Sequence, residues 1–365
     1  MLPYFSEIYG NAASKSHTYG QSANAAIEKA REALAETLQA KPQEIVFTSG
    51  ATESINIAIK GVAEANTSAG RHYITYATEH PAVLDTFQWL DSHEFETTIL
   101  PVEPNGLPDL DRLRSAIRPD TVMVCVMAAN NEIGTVLPLP QIGALCRENG
   151  VYFMTDATQA LAKFEIDVDG ANIDLLACSA HKLHGPKGVG ALYVRRSLPH
   201  VPVVPLIHGG GHENGLRSGT LNVPGIVGFQ TALTLSLKGG DNEQAHIAGL
   251  RDNLQEKLLN AIPGSRVNGA VDARLAGNLN ILLPNVKSDA LVVALKSEIA
   301  ISTGSACTTA SVKPSHVLKA LGLPDRDVYS SIRFGLSRYT TQEEVEFAAE
   351  RIASEYRRLL EFANL

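Results

Sequence analysis

Several absences narrow the reading first. No apolar run in the 365 residues is long enough to span a bilayer. The opening MLPYFS carries no basic stretch ahead of an apolar one, so no signal peptide is expected. The four cysteines show no metal-ligand spacing, and a chain of this size needs no disulfide staples. No metal site is expected, and reduced thiols in the cytoplasm are the natural reading. Internal repeats and low-complexity segments are missing too, which leaves repeat arrays without support. Positive charge is also short: 31 Lys and Arg against 39 Asp and Glu give a net charge of −8. The whole-chain field therefore offers nothing to nucleic acid or to a membrane surface, and only local basic patches could.

What is present is apolar bulk. Hydrophobic side chains make up 44% of the chain, enough for a sizeable core and more than one domain. The organising stretch is LLACSAHKLHGPKGVG, residues 175–190. Its apolar start reads as a buried strand that breaks at Ser179 into a polar turn with His181 and Lys182, then a Gly- and Pro-rich loop. Lysines are rarely buried. Lys182 is either a solvated loop lysine or phosphate contact, or an amine that forms a Schiff base with a carbonyl cofactor.

Along the chain, residues 24–40 place Ile27, Ala30, Leu34 and Leu38 on one helical face, ending near Lys41-Pro42. EIVFT (44–48) reads as a strand, followed by SGATE and an apolar helix through Ile59. Backbone N–H groups at that helix start, around Ala51 and Thr52, suit a phosphate, although Thr caps are common without one. Strands are also expected at 73–77, 122–127, 152–155 and 175–178. Each is nearly continuous in apolar residues, as when both faces of a parallel sheet are covered. Polar residues collect just past these strands: Thr52, His80, Asn131, Asp156, Gln159, Ser179, His181 and Lys182. In an open α/β sheet the crevice beyond the carboxyl ends of the strands is where ligands bind. From about Gly239 the texture changes. A helix at 243–262, strands at 278–283, 299–302 and 331–336, and a closing helix with a Thr341/Glu344 capping box read as a smaller α+β domain. Val345, Ala348, Ile352 and Tyr356 line one face of that helix.

Taken singly, these residues have plain alternatives. Asp156 could hold a protonated ring nitrogen or cap a helix; His80 could stack on a flat ring or sit satisfied at a helix start. Arg333 could pair with a substrate carboxylate or with a surface acid. Cys125, Cys146 and Cys178 read as small core hydrophobes. Cys307, among Gly, Ser, Ala and Thr, reads as an accessible loop thiol, either a nucleophile or of no consequence. A lysine, an anion and a phosphate cup together fit one cofactor, pyridoxal phosphate.

The motifs SGATES (49–54), TEHPAVLD (78–85), NNEIG (130–134), DATQA (156–160), SAHKLHGPKG (179–188), HGGGHENGLRSGT (208–220), STGSACT (302–308) and SSIRFGLSR (330–338) run in order over nearly all of the chain. The chain thereby resembles the cysteine desulfurases of the iron–sulfur-assembly and nitrogen-fixation kind, which are fold-type I pyridoxal-phosphate enzymes. The resemblance implies an α/β fold: a large domain over 1–238 with a mostly parallel seven-stranded sheet, and a smaller α+β domain over 239–365. It implies that Lys182 carries the cofactor's aldehyde, Asp156 meets its ring nitrogen, Gln159 its ring hydroxyl, and His80 its face. Ala51, Thr52, Ser179 and His181 would hold the phosphate, joined by Thr220 from a second subunit. Asn131 and Arg333 would bind the substrate carboxylate, and Cys307 would take the sulfur as a persulfide. A cytoplasmic homodimer, L-cysteine as substrate, and delivery of sulfur to an acceptor protein follow from the same resemblance.

The chain departs from the family pattern at its start. Members have a strand and an Asp-x-Ala-Ala-Thr-Thr-Pro type turn before the first helix, whereas MLPYF resembles the end of that helix. The segment would pack near the substrate pocket, so a catalytically impaired sulfur-transfer module is one alternative. Another fold-type I lyase or aminotransferase, such as selenocysteine lyase, is the other.

Overall fold

The computed structural model describes residues 1–303 and 314–363. Two compact units emerge. The first comprises Met1–Leu100, Leu110–Ala128 and Pro138–Lys238; the second comprises Pro101–Asp109, Ala129–Leu137 and the chain from Gly239 on.

The first unit is built on seven strands: β1 (Ile45–Thr48), β2 (His72–Tyr76), β3 (Glu96–Leu100), β4 (Thr121–Cys125), β5 (Tyr152–Asp156), β6 (Leu175–Ser179) and β7 (Gly190–Val194). Their order is β1-β7-β6-β5-β4-β2-β3. The run from β6 to β3 is parallel, and β7 lies antiparallel to both β6 and β1. The expected α/β architecture with a mostly parallel seven-stranded sheet is therefore present. Strands β1, β2, β4 and β6 are buried throughout because helices cover both faces. Helix α1 (Thr18–Thr37) begins six residues before the apolar periodicity does. The His17 ring accepts the Gly20 N–H at 3.1 Å and so starts the helix from a polar turn. Helix α2 (Ala51–Ala65) buries Ile55, Ile57, Ala58, Ile59 and Val62 in a cluster with Val46, Leu175, Leu192 and Val194. Each such Val or Ile side chain is worth about 1.5–3 kcal/mol of burial, which anchors strands β1, β7 and β6 at one end of the sheet.

Five of the seven strands match the apolar runs within a few residues. β3 was not foreseen because, as an edge strand, it buries only Leu100 of ETTIL fully. β7 was hidden behind the glycines that precede it.

The second unit holds an antiparallel sheet in the order β10-β11-β9-β8, with β8 (Arg266–Val267), β9 (Asn278–Leu282), β10 (Ser302–Thr303) and β11 (Ser331–Gly335). The long helix Val223–Ala261 breaks at Gly240 (φ 51°), one residue past the division between the units. Sequence periodicity had shown only its latter half. Leu250, Leu254 and Leu258 from that half pack with Leu279, Ile281, Ile332 and Phe334. Helix Gln342–Ala363 adds Val345, Ile352 and Tyr356 to the same core, as its spacing predicts. Its capping box forms: Glu344 Oε2 accepts Thr341 N–H at 2.9 Å and Thr341 Oγ1 accepts Glu344 N–H at 3.2 Å. Residues 101–109 and 129–137, expected with the large domain, cluster instead with the second unit. Backbone pairing draws them there, with Val136 N–H on Ala273 O at 2.8 Å and Leu275 N–H on Gly134 O at 2.9 Å.

Candidate active site

The ends of β1, β5 and β6 lie on one edge of the first unit's sheet. The register places Thr48 and Ser179 each opposite Gly190, and Asp156 opposite Ala177. This is the edge on which α/β sheets bind ligands.

β1 passes into α2 through Ser49-Gly50, leaving the first N–H groups of the helix without partners inside it. Gly50 packs directly against β7. A Cβ on Gly190 would lie 2.5 Å from the Cys178 carbonyl oxygen and 2.7 Å from Gly50 Cα, both backbone atoms. Gly190→Ala is expected to displace this loop and weaken binding of a phosphate-bearing cofactor at least about tenfold, measured by equilibrium dialysis of the refolded apoprotein. Side chains brace the loop from behind. Glu53 Oε2 accepts Ser49 N–H at 2.6 Å, and Arg217 Nε donates to Glu53 Oε1 at 2.7 Å. Burial opposes the Glu53 charge, but Arg217 and Ser49 hold its carboxyl below the usual range.

Arg217 belongs to the HGGGHENGLRSGT segment, which a second, deeper pair fixes. Arg31 donates to both oxygens of Glu213, at 2.9 and 2.7 Å, and Glu213 Oε2 also accepts Phe47 N–H at 2.7 Å. Arg31 is 8% exposed and Glu213 7%. Arg31→Met strands a buried carboxylate, and should lower the stability of the first unit by about 3–5 kcal/mol in urea unfolding. Thr220 closes this segment and is exposed.

Asp156 ends β5 and is 6% exposed. Its Oδ1 accepts Thr158 N–H at 2.9 Å, and among the described residues it forms no ion pair. Burial pushes its carboxyl up, against the downward pull of Thr158, His80 and Lys182. It is a buried carboxylate whose cationic neighbours act on it from a distance, not through an ion pair. Beside it is a residue the sequence reading passed over, Glu79: fully buried, accepting Met127 N–H at 2.8 Å. Burial, then the field of Asp156, lift the Glu79 carboxyl well above the usual range. The signal present in the sequence is a charged residue three positions past the end of a buried strand.

His80 caps the helix Pro81–Asp91, its Nδ1 accepting Ala82 N–H at 3.1 Å. The proton of a neutral His80 ring is thus on Nε2. Ser179 Oγ and His181 Nδ1 are 2.8 Å apart, and Ser179 is buried while His181 is exposed. Burial and the Lys182 and Lys187 cations hold the His181 ring below its usual pKa. Lys182 sits exposed on the single 3-10 turn Ala180–Leu183, directly after β6. Gln159 lies in the turn after Asp156, its Oε1 accepting from Lys163 Nζ at 3.1 Å.

The expected substrate residues lie in the second unit. Arg333 Nη1 donates to the Asn131 carbonyl oxygen at 3.1 Å, using one of five N–H groups, and Asn278 Nδ2 donates to the same oxygen at 3.3 Å. Cys307 lies outside the described residues.

The first unit's edge fits pyridoxal phosphate on its own chemistry. It offers a buried carboxylate with no close ion pair among the described residues, an amine on the neighbouring turn, and a helix start whose loop admits no Cβ behind it.

Comparison with known proteins agrees. The aminotransferase class-V family description matches residues 1–347. The chain is 49% identical to Cysteine desulfurase IscS of Anaeromyxobacter sp. (strain Fw109-5), over all of this chain and 90% of that one. Among solved structures, a NifS-like protein superposes with a TM-score of 0.91 at 37% identity, covering 98% of this chain and 94% of the other. A structure described as SspA in complex with cysteine gives a TM-score of 0.80 at 39% identity, covering 93% and 94%. On this evidence the chain belongs to the class-V aminotransferase family, within its pyridoxal-phosphate-dependent cysteine desulfurases.

Proposed function

We propose that the protein removes sulfur from L-cysteine, giving L-alanine and a persulfide on Cys307. The observation that carries this reading is Asp156, a carboxylate buried at the end of a central parallel strand, one strand from the turn that bears Lys182. When bound, pyridoxal phosphate supplies an aldehyde that captures the substrate amine and a ring that accepts electrons from Cα. Lys182 would hold the aldehyde carbon, then take and return the Cα proton. Asp156 keeps a proton on the ring nitrogen, and Gln159 donates to the ring oxygen. Ala51 and Thr52 N–H groups, Ser179 and His181 take the phosphate. His80, which caps its helix through Nδ1, would lie against the ring. Asn131 and Arg333 bind the substrate carboxylate.

Cys307 completes the reaction. Its thiolate would form an S–S bond to the substrate sulfur as the Cβ–S bond breaks; the electron pair of that bond stays on the carbon side, Cβ takes up a proton, and the carbon skeleton leaves as alanine while the sulfur stays on the enzyme as the persulfide. Cys307→Ser should still bind L-cysteine and change the visible spectrum. Its intact mass should show no species one sulfur atom heavier than the protein, which the parent shows after brief exposure to L-cysteine. Alanine formation undiminished in that variant would favour a lyase of the selenocysteine lyase kind, which breaks the carbon–sulfur bond without a protein thiol.

We also place the enzyme in a homodimer, with Thr220 serving the partner's phosphate site. Exposed apolar side chains at Leu2, Phe5, Tyr9, Leu235 and Leu237 support such a contact. The persulfide passes to an acceptor protein, with no direct part for nucleic acid. Among the described residues no helix is long and apolar enough to cross a membrane. The bacterial relatives and the three buried free thiols Cys125, Cys146 and Cys178 support a cytoplasmic setting.

A further inference from the structure

We propose that Lys163 is a positioning residue for the cofactor's ring oxygen: its ammonium holds the Gln159 amide oxygen and so commits the amide N–H groups to donating into the site. This rests on the reading above that Gln159 meets that oxygen. Past β5 the chain turns tightly, with Ala160 N–H on Ala157 O at 2.9 Å, Leu161 N–H on Ala157 O at 3.0 Å and Lys163 N–H on Ala160 O at 2.9 Å. Such turns bring residues four apart to the same side. Lys163 Nζ then reaches Gln159 Oε1 at 3.1 Å.

The direction of that bond carries the inference. An ammonium has three donors and no acceptor, so it can meet only the oxygen end of an amide. With the oxygen taken, the amide's two N–H groups remain, and a ring oxygen that is ionised when the cofactor is linked to a lysine calls for a donor. A glutamine without this anchor could present either end. Lys163 is not a freely solvated lysine. It is half-buried, and burial together with the nearby Lys182 cation push its ammonium down to about 8. It is still protonated at neutral pH, where it has a donor to give.

The test uses purified holoprotein at pH 7 and reads the ratio of the cofactor's visible band to its near-ultraviolet band, which reports ionisation of the ring oxygen. Gln159→Ala should move the ratio about fivefold towards the near-ultraviolet form, the worth of one hydrogen bond. Lys163→Met and Lys163→Ala should match Gln159→Ala, and the Lys163→Met/Gln159→Ala double variant should add nothing further. Lys163→Arg, which keeps a donor, should stay near the parent. A moved ratio in Gln159→Ala with an unmoved ratio in both Lys163 truncations overturns the role of Lys163 alone. An unmoved ratio in Gln159→Ala overturns the placement of Gln159, and the inference with it. A double variant shifted well beyond Gln159→Ala also overturns it, because Lys163 would then act by another route.

Discussion

Replacing Lys182 with alanine should cut alanine production from L-cysteine by more than about 10³-fold, the scale on which removal of a covalent catalytic group is felt. Purified Lys182→Ala protein should also lack the visible absorbance of a lysine-linked cofactor. The fold should hardly notice. Lys182 is exposed, and its turn is closed by backbone bonds, Ala180 N–H to Val189 O at 3.1 Å and Gly185 N–H to Ala180 O at 3.0 Å. Its stability should change by no more than about 0.5 kcal/mol. The neighbouring amine offers no substitute, since Lys163 is engaged by Gln159. Chromatographic assay of alanine beside a thermal unfolding curve separates the two effects.

Asp156→Asn should move activity and apoprotein stability in opposite directions. An asparagine keeps an oxygen to accept Thr158 N–H but cannot hold a proton on the ring nitrogen, so turnover should fall on the order of 10²–10³-fold, as when one oriented charge-stabilising group is lost. The stability of the cofactor-free protein should rise. Burial lifts the Asp156 carboxyl above its ordinary value of 3.8, so the folded chain binds this proton more tightly than the unfolded chain. The unfavourable contribution is absent at pH below that ordinary value. It grows as pH rises above that ordinary value and levels off once the folded carboxyl has ionised too. Asparagine removes it. The apoprotein's melting temperature at pH 7.5 should therefore exceed the parent's, with the gap closing as pH falls. A lower melting temperature at pH 7.5 would mean that attraction from His80 and Lys182 outweighs burial.

The parts legible in the sequence were those whose cause is local. Strands β1, β2, β4, β5 and β6 announce themselves because both their faces are covered and their side chains form nearly continuous apolar runs. Asp156, Ser179 and Lys182 stand out as the first polar residues after such runs. What escaped depends on distant partners or on an exposed face. Arg31 and Glu213 are 182 positions apart, and no pattern near either foretells the pair. The half-exposed ETTIL strand has a single fully buried position and so no apolar run to read. Residues 129–137 follow β4 closely yet cluster with the second unit, because Thr135 pairs with Arg274. Lys163 lay in plain view at four residues from Gln159, but only the distance between them gives that spacing a meaning.

The most direct measurement is chemical: borohydride reduction of the purified, cofactor-loaded protein, followed by peptide mass mapping. The account predicts one phosphopyridoxyl group per chain, on the peptide containing Lys182. A label on Lys163 instead, or a loaded protein that takes up none, would contradict it.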